Sequence, residues 1–406
     1  MIKQIEGGVC APLGFTANGV LAGIKAGRTK NDLALIYSEK PCNAAGVFTK
    51  NLVKAEAVKL TRQNLKNGKA QGVIANSGNA NACTGEQGAK NALRMAEAAA
   101  KALNIASDDV IVCSTGVIGQ QINIEAIEKA LPNLAAGLSK TGNAAAREAI
   151  MTTDTVYKEV AVEFELGGKT VHIGTMAKGS GMIHINMGTM LSFMTTDCAI
   201  SSEMLDSALR ETIEGTYNCI SVDGDTSTND TLTILANGMA GNAEITEKNA
   251  DYALFVEALN HINTMMARKI AADGEGAEHL IECVVRGAKT VESARVLAKS
   301  VISSSLVKAA FFGADANWGR ILCAMGYSGE LFTPEKVSVT FTNSKGTVEV
   351  FKNGVPLNFD EDKAKIVLTE KEVQILVDLE EGNCTGTAWG CDLTYNYVKI
   401  NGDYRT

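Results

Sequence analysis

Apolar residues recur at helical spacing in several stretches of the chain. Between residues 251 and 270, seven apolar side chains form one stripe along a predicted helix: Leu254, Phe255, Ala258, Leu259, Ile262, Met265 and Met266. The alanine-rich stretch 88–103 also places its apolar residues at helical intervals, and residues 291–311 form a further helix candidate. The pattern therefore predicts three helices at these positions.

Short apolar or alternating runs predict strands between these helices. Residues 72–75 and 109–113 are typical of buried strands, and each runs into a cluster of turn-forming residues. Residues 156–164 alternate with charged neighbours and lead through Gly167 and Gly168 into residues 171–173, which favours a hairpin.

After Pro334, apolar and polar residues alternate in short runs that follow closely on one another. Residues 337–341 and 348–350 are short alternating runs, and Asn353-Gly354 is a type I′ turn signal. Residues 374–378 and 389–398 then predict strands that return the chain. The whole pattern predicts a mixed α/β protein with a smaller, strand-rich C-terminal part, which we place at about residues 281–406, after a main body of about residues 1–280.

Composition narrows the class of protein. The 406 residues correspond to two or three domains at ~150 residues each. The formal charge of −8 disfavours nucleic acid as the main partner, because a phosphate backbone attracts basic surfaces. No apolar run approaches the ~20 residues of a membrane span, and the start of the sequence lacks the apolar run of a secretion signal. We therefore expect a soluble, cytoplasmic protein without a membrane partner.

Cysteine and histidine positions argue against disulfides and metal sites. The ten cysteines are scattered without a Cys-x-x-Cys pair, which favours reduced thiols. The four histidines never fall at His-x-x-x-His spacing, and no Gly-x-Ser-x-Gly motif is present. The motif DGDTSTND at 223–230 lacks the sixth-position Gly of a calcium loop and has Ile234 at the twelfth position, so a capped turn is the better interpretation. We expect neither a metal nor another cofactor.

One segment combines a cation, flexible backbone and hydroxyl groups beside apolar residues. It runs from Lys178 through a Gly-Ser-Gly sequence to Gly188 and Thr189. A glycine-rich turn that enters a core strand explains this composition. A second interpretation is a threonine nucleophile whose own α-amino group is the base, with a pKa near ~7.7–8.0, and this requires cleavage of the Gly188–Thr189 bond.

Blocks spread along nearly the whole chain resemble one family. The segments KGSGMI (178–183) and NMGTML (186–191) resemble the self-cleavage region of the ornithine acetyltransferase family, the bifunctional enzymes of arginine biosynthesis. Further blocks resemble other segments of the same family: AAGVFT (44–49), NSGNANACTG (76–85), STGVIG (114–119), MTTD (151–154), DGDTSTND (223–230), DANWGR (315–320) and the stretch that ends at Thr406.

The resemblance implies a role for individual residues. Thr189 would be the nucleophile, released by cleavage after Gly188, and Thr115 and Gly116 would form the oxyanion hole. The implied substrate-binding residues are Thr152, Lys178, Thr189, Glu275, Asn401 and Thr406. The family usually has Ala where this chain has Gly188, and Ala-Pro where it has His184-Ile185. For Glu275, the residues alone favour a solvent-exposed carboxylate at a helix end.

The resemblance also implies a fold and a reaction. The fold would be a layered α-β-β-α sandwich, as in self-cleaving L-aminopeptidase/D-esterase enzymes, and cleavage would give chains 1–188 and 189–406 in a heterotetramer of two α and two β chains. The enzyme would move an acetyl group from N-acetylornithine to glutamate through an acetyl-threonine, with acetyl-CoA as an alternative donor. Two alternatives stay open: an amidohydrolase or aminopeptidase of the same fold, and an uncleaved binding protein without activity.

Overall fold

The computed structural model describes residues 1–184 and 190–403. Its strands and helices have the following bounds. The strands are β1 (Lys3–Ile5), β2 (Phe15–Val20), β3 (Leu33–Phe48), β4 (Lys69–Asn79), β5 (Val110–Val117), β6 (Lys158–Leu166), β7 (Lys169–Lys178), β8 (Ile183–His184), β9 (Leu191–Thr196), β10 (Ile220–Thr226), β11 (Thr231–Ala236), β12 (Leu280–Ala288), β13 (Ser338–Asn343), β14 (Gly346–Lys352), β15 (Val355–Pro356), β16 (Glu372–Asp378) and β17 (Cys384–Cys391). The helices are α1 (Glu56–Asn64), α2 (Gly85–Leu103), α3 (Ile124–Ala136), α4 (Asn143–Ile150), α5 (Ser202–Ile213), α6 (Ala250–Ala272), α7 (Val291–Ser303), α8 (Ser305–Phe312), α9 (Trp318–Gly326), α10 (Glu361–Leu368) and α11 (Tyr395–Asp403).

The strands form two mixed sheets. The first has the order β1-β6-β7-β9-β11-β3-β4-β5, with β2 paired to β3. Its β9–β11 and β4–β5 pairs are parallel, and the remaining pairs are antiparallel. The second sheet has the order β15-β14-β13-β16-β12-β17-β10-β8. This architecture confirms the predicted mixed α/β class.

Helix α6 lies where both sheets can be reached. It packs against β6 and β7 of the first sheet and against β10, β12 and β17 of the second. Most of its apolar stripe is buried, with Phe255, Leu259 and Ile262 fully inaccessible, whereas Leu254, which the pattern assigned to the stripe, is exposed. The largest core cluster joins side chains from both sheets. The Asn249 side chain starts the helix by accepting the Tyr252 N–H at 3.0 Å. The predicted helix at 251–270 is thus confirmed.

Two sequence predictions need correction. The helix expected over 291–311 is divided into α7 and α8, because Ser304 adopts an extended backbone and its hydroxyl caps α8 through the Val307 N–H at 3.4 Å. The strand expected over 389–398 ends at Cys391, and the chain then forms α11, in which Tyr395 and Val398 are exposed. The Thr394 hydroxyl supports this turn by accepting the Asn396 N–H at 3.1 Å.

The second sheet also shows how the C-terminal strands are built in. It contains the late strands β13 to β17, but β8 and β10 at one end come from the first 230 residues of the chain. The division of the chain at about residue 280 therefore stays a prediction about domains, while this sheet joins strands from both sides of it.

All ten cysteines lie in the described ranges and are free, and seven of them are buried. Within residues 1–184 and 190–403, no helix is long and apolar enough to cross a membrane.

Candidate functional site

A polar cavity of about 230 Å³ brings together residues from both halves of the chain. Six of the residues singled out from the sequence line it: Thr115, Gly116, Thr152, Lys178, Glu275 and Asn401. The other described lining residues are Ile118, Thr153, Gly181, Met182, Asp223, Asp225, Ser227, Thr228, Asn229 and Tyr397. The resemblance-based predictions thus converge on one place.

The end of β5 carries the expected oxyanion pair. Gly116 has φ +128°, and a Cβ there would lie 2.3 Å from the carbonyl carbon of Gly78 on β4. Only glycine satisfies both requirements, because a side chain would meet rigid backbone as well as an unfavourable φ. This close approach of β4 and β5 places Thr115 and Gly116 at the cavity wall.

Lys178 ends β7 inside the cavity and is buried. Its Nζ donates to Thr115 Oγ1 at 3.4 Å. Burial lowers the pKa of Lys178, while the neighbouring Asp154 carboxylate raises it. Among the described lining residues Lys178 is the one Lys or Arg, and it shares the cavity with the acidic residues Asp223, Asp225 and Glu275.

Glu275 follows the end of α6 and points into the cavity. It is buried, with 7% of its surface exposed, so the solvent-exposed carboxylate considered from the residues alone is wrong. Asn401 of α11 donates its Nδ2 to Glu275 Oε2 at 2.8 Å. A Cβ at Gly181 would lie 2.3 Å from the Glu275 carboxyl carbon, so glycine at 181 leaves the space that this carboxylate occupies.

Thr152 reaches the cavity from the loop between α4 and β6. Its N–H donates to Asp154 Oδ2 at 3.1 Å, which holds the loop beside Lys178. Thr152 itself is partly exposed.

Sequence reasoning did not predict two residues of this cavity, Asp223 and Tyr397. Asp223 does form a capped turn with the Asp225 N–H at 3.2 Å, but its carboxylate also accepts the N–H groups of Met182 and Ile183 at 2.6 and 2.8 Å. Burial raises the pKa of Asp223. Burial and the nearby Asp223 charge also raise the pKa of Tyr397. Tyr397 lay in the segment expected to be a strand, so no sequence signal placed it here.

Three predicted positions lie outside the described residues: Gly188, Thr189 and Thr406. Met190, the next residue after Thr189, lines a small annex of about 20 Å³ that shares Thr115, Lys178 and Gly181 with the main cavity. In the described residues, no group of three His, Cys, Asp or Glu side chains is arranged to hold a metal ion.

A family model for the ArgJ family matches residues 16–406. The chain belongs to the ArgJ family. This membership confirms the resemblance noted in the sequence. A relative from Caldanaerobacter subterraneus subsp. tengcongensis is 53% identical over 405 residues, and one from Listeria monocytogenes is 46% identical over 407. The alignment covers 100% of both chains in each case, and both relatives are named arginine biosynthesis bifunctional protein ArgJ.

Solved structures similar to this ArgJ family member include two with related sequences. The ArgJ protein of Bacillus halodurans is 44% identical with a TM-score of 0.49, over 52% of this chain and 98% of the solved chain. The ornithine acetyltransferase of Mycobacterium tuberculosis, solved with ornithine, is 43% identical with a TM-score of 0.43, over 45% of this chain and 97% of the solved chain.

Proposed function

We propose that this ArgJ family chain is an acetyltransferase that cleaves itself before Thr189 and moves an acetyl group from N-acetylornithine to glutamate. The observation that carries the proposal is the convergence of Thr115, Gly116, Lys178 and Glu275 on one buried cavity. These residues come from β5, β7 and the turn after α6, so their meeting is a property of the folded chain. The bifunctional names of the full-length relatives agree with it.

The charges of the cavity fit an amino-acid substrate. A substrate α-carboxylate needs a cation and hydroxyl donors, which Lys178 and Thr152 offer. The side-chain ammonium of ornithine needs an acidic partner, and Glu275 is a buried carboxylate held by Asn401. A cavity of about 230 Å³ suits a small substrate of this kind.

Self-cleavage would create the nucleophile. The Thr189 hydroxyl attacks the carbonyl carbon of Gly188, the peptide C–N bond breaks, and the Thr189 amine is released while an ester forms. Water then hydrolyses that ester. The product has a free α-amine beside the hydroxyl, so one residue supplies both base and nucleophile.

Acetyl transfer would follow in two displacements. The Thr189 amine takes the hydroxyl proton as Oγ attacks the acetyl carbonyl, and Thr115 and Gly116 stabilise the oxyanion. The amide C–N bond breaks, the proton passes to the leaving ornithine amine, and an acetyl ester remains on Thr189. The neutral amine of glutamate attacks this ester, and its proton returns through the Thr189 amine to Oγ.

Three further properties belong to the proposal. Acetyl-CoA would serve as an alternative acetyl donor, in keeping with the bifunctional names of the relatives. The cleaved chains would assemble as two α and two β chains. The reduced state of ten free thiols supports a cytoplasmic location.

Thr189→Ala tests the mechanism. Wild-type protein should appear as fragments of about 20 and 23 kDa, calculated from 42.8 kDa and a cut after residue 188. We expect the variant to stay at full length and to lose transfer from N-acetylornithine to glutamate, because both base and nucleophile depend on Thr189. Denaturing electrophoresis, mass spectrometry and an acetylglutamate assay measure the outcome.

An exposed threonine provides the control. Thr170→Ala, at the exposed start of β7, should cleave and transfer like wild type. Transfer activity retained in Thr189→Ala would refute Thr189 as the nucleophile. Release of free acetate in place of acetylglutamate by wild type would instead indicate an amidohydrolase.

A further inference from the structure

A buried charge cluster lies directly behind the cavity. It consists of Asp154, Lys158 and Asp273, whose side chains are 0%, 0% and 4% exposed. Lys158 Nζ donates to Asp154 Oδ1 at 2.7 Å and also to Asp273 Oδ2. Buried ion pairs seldom stabilise a fold more than apolar side chains of the same size, because both charges lose their hydration. Stability alone is therefore a poor explanation for this cluster.

The Asp154 carboxylate binds the backbone at two predicted substrate contacts. Its Oδ2 accepts the Thr152 N–H at 3.1 Å, and its Oδ1 accepts the Gly179 N–H at 2.7 Å. Gly179 directly follows Lys178. One buried carboxylate thus joins two cavity walls that lie 26 positions apart in the sequence.

Asp273 connects the same cluster to the wall that carries Glu275. Its carboxylate accepts the Thr155 N–H at 3.1 Å, and its backbone carbonyl accepts the Ser180 hydroxyl at 2.8 Å. The Glu275 N–H in turn donates to the Ser180 carbonyl at 2.9 Å. Lys158, which contacts both carboxylates, therefore links the segments that present Thr152, Lys178 and Glu275.

We propose that Asp154 is a positioning residue of the cavity, and that its carboxylate holds Thr152 and Lys178 at the spacing that the substrate carboxylate requires. Lys158 and Asp273 are the partners that make this buried charge tolerable. The inference rests on the proposed function, in which Thr152 and Lys178 receive that carboxylate.

Electrostatics give Asp154 a second effect on the same lysine. Burial by itself raises the pKa of Asp154, but Lys158 and Lys178 more than offset this and lower it to about 2, so Asp154 carries its charge at neutral pH. Lys178 faces the charges of Asp154, Lys158, Asp230 and Glu275. The negative charge of Asp154 raises the pKa of Lys178 against the effect of burial. Loss of that charge makes Lys178 give up its proton at lower pH.

Asp154→Asn tests the proposal in the full, processed enzyme. An amide has one acceptor oxygen, so it cannot accept all three hydrogen bonds. We expect KM for N-acetylornithine to rise about tenfold or more, since hydrogen bonds to charged groups contribute about 1.5–3 kcal/mol. The alkaline limb of the kcat/KM profile should move to lower pH, an effect that a merely structural role would not produce.

A second variant separates positioning from charge balance. Asp154→Asn alone leaves Lys158 paired with Asp273, whereas adding Lys158→Met leaves the buried Asp273 carboxylate without its cation, so the double variant should unfold at a lower temperature than the single variant while its KM stays equally high. Glu159→Gln is the matched control, because Glu159 neighbours Lys158 in β6 but pairs with Arg147 outside the cavity. It should keep the wild-type KM and pH profile.

The outcomes are distinct. If the double variant regains the wild-type KM, or if Asp154→Asn leaves KM and the pH profile unchanged, the positioning role is refuted. Absence of transfer in wild type would contradict the proposed function instead. Calorimetric titration with ornithine still compares the same variants in that case, and weakened binding in Asp154→Asn but not in Glu159→Gln would support the positioning role.

Discussion

Gly181→Ala perturbs the cavity through a single added methyl group. The backbone at 181 does not require a positive φ, so alanine is tolerated there conformationally. The new Cβ would lie 2.3 Å from the Glu275 carboxyl carbon and 2.3 and 2.5 Å from its two oxygens. Ordinary contacts begin near 3.4 Å, so the carboxylate must retreat by about 1 Å. The substitution therefore displaces Glu275 without removing it.

The displacement should affect binding more than stability. Loss of the 2.8 Å hydrogen bond from Asn401 to Glu275 lowers the free energy of unfolding by about 1 kcal/mol. Under the proposed function, a displaced carboxylate also loses its bond to the substrate ammonium, worth about 1.5–3 kcal/mol, which corresponds to about a 10- to 150-fold rise in KM for N-acetylornithine.

Steady-state kinetics and thermal unfolding measure the two effects. Gly326→Ala is the matched control, because a Cβ at the end of α9 meets nothing within 4 Å, and it should keep the wild-type KM. A KM for Gly181→Ala within about twofold of wild type would show that the position of Glu275 does not control substrate binding, and would refute the reasoning.

Two further predictions concern the rest of the fold. Under native conditions iodoacetamide should modify the exposed Cys83 and Cys323 and leave the buried thiols intact. Burial keeps those thiols protonated and inaccessible; it raises the pKa of Cys113, for example, to about 12. Mass spectrometry that finds Cys113 alkylated before Cys83 and Cys323 would contradict the packing. The hydrogen bond that His279 Nδ1 donates to Asp392 Oδ2 raises the pKa of His279 above 6.5, so the pair stabilises the fold fully below pH 6.5 and this contribution is lost as pH rises through the folded-state pKa. His279→Gln should therefore flatten the fall of Tm with pH on the alkaline side of 6.5, and an unchanged slope would contradict this assignment.

Local periodicity predicted several elements correctly. The stripe that includes Phe255 and Ile262 lies on α6 and is buried except at Leu254 and in part at Met265, and residues 88–103 fall within α2 (Gly85–Leu103). A helix or a strand has its own period, so residues a few positions apart already reveal which face is apolar. These predictions needed no information about distant parts of the chain.

Periodicity did not predict where helices and strands end at short polar residues. Ser304 interrupts a continuous apolar pattern because its hydroxyl competes for a backbone N–H, and Thr394 starts α11 in the same way. Whether the Ser304 or Thr394 hydroxyl caps a helix depends on how the surrounding segments pack. The Thr394 hydroxyl also donates to the carbonyl of Gly276 at 2.6 Å, a contact between segments more than a hundred residues apart.

The sequence by itself, through its resemblance to one family, determined which residues to propose for the chemistry, among them Thr115, Gly116, Lys178 and Glu275. Only the tertiary structure decided that these residues meet in one cavity, that Glu275 is buried, and that Asp154 holds two of the walls together. The physical reason is the distance along the sequence over which each interaction acts. Periodicity and turn chemistry act over a few residues, whereas the contact between Lys178 and Thr115 depends on sheet order and on the packing of strands 63 residues apart.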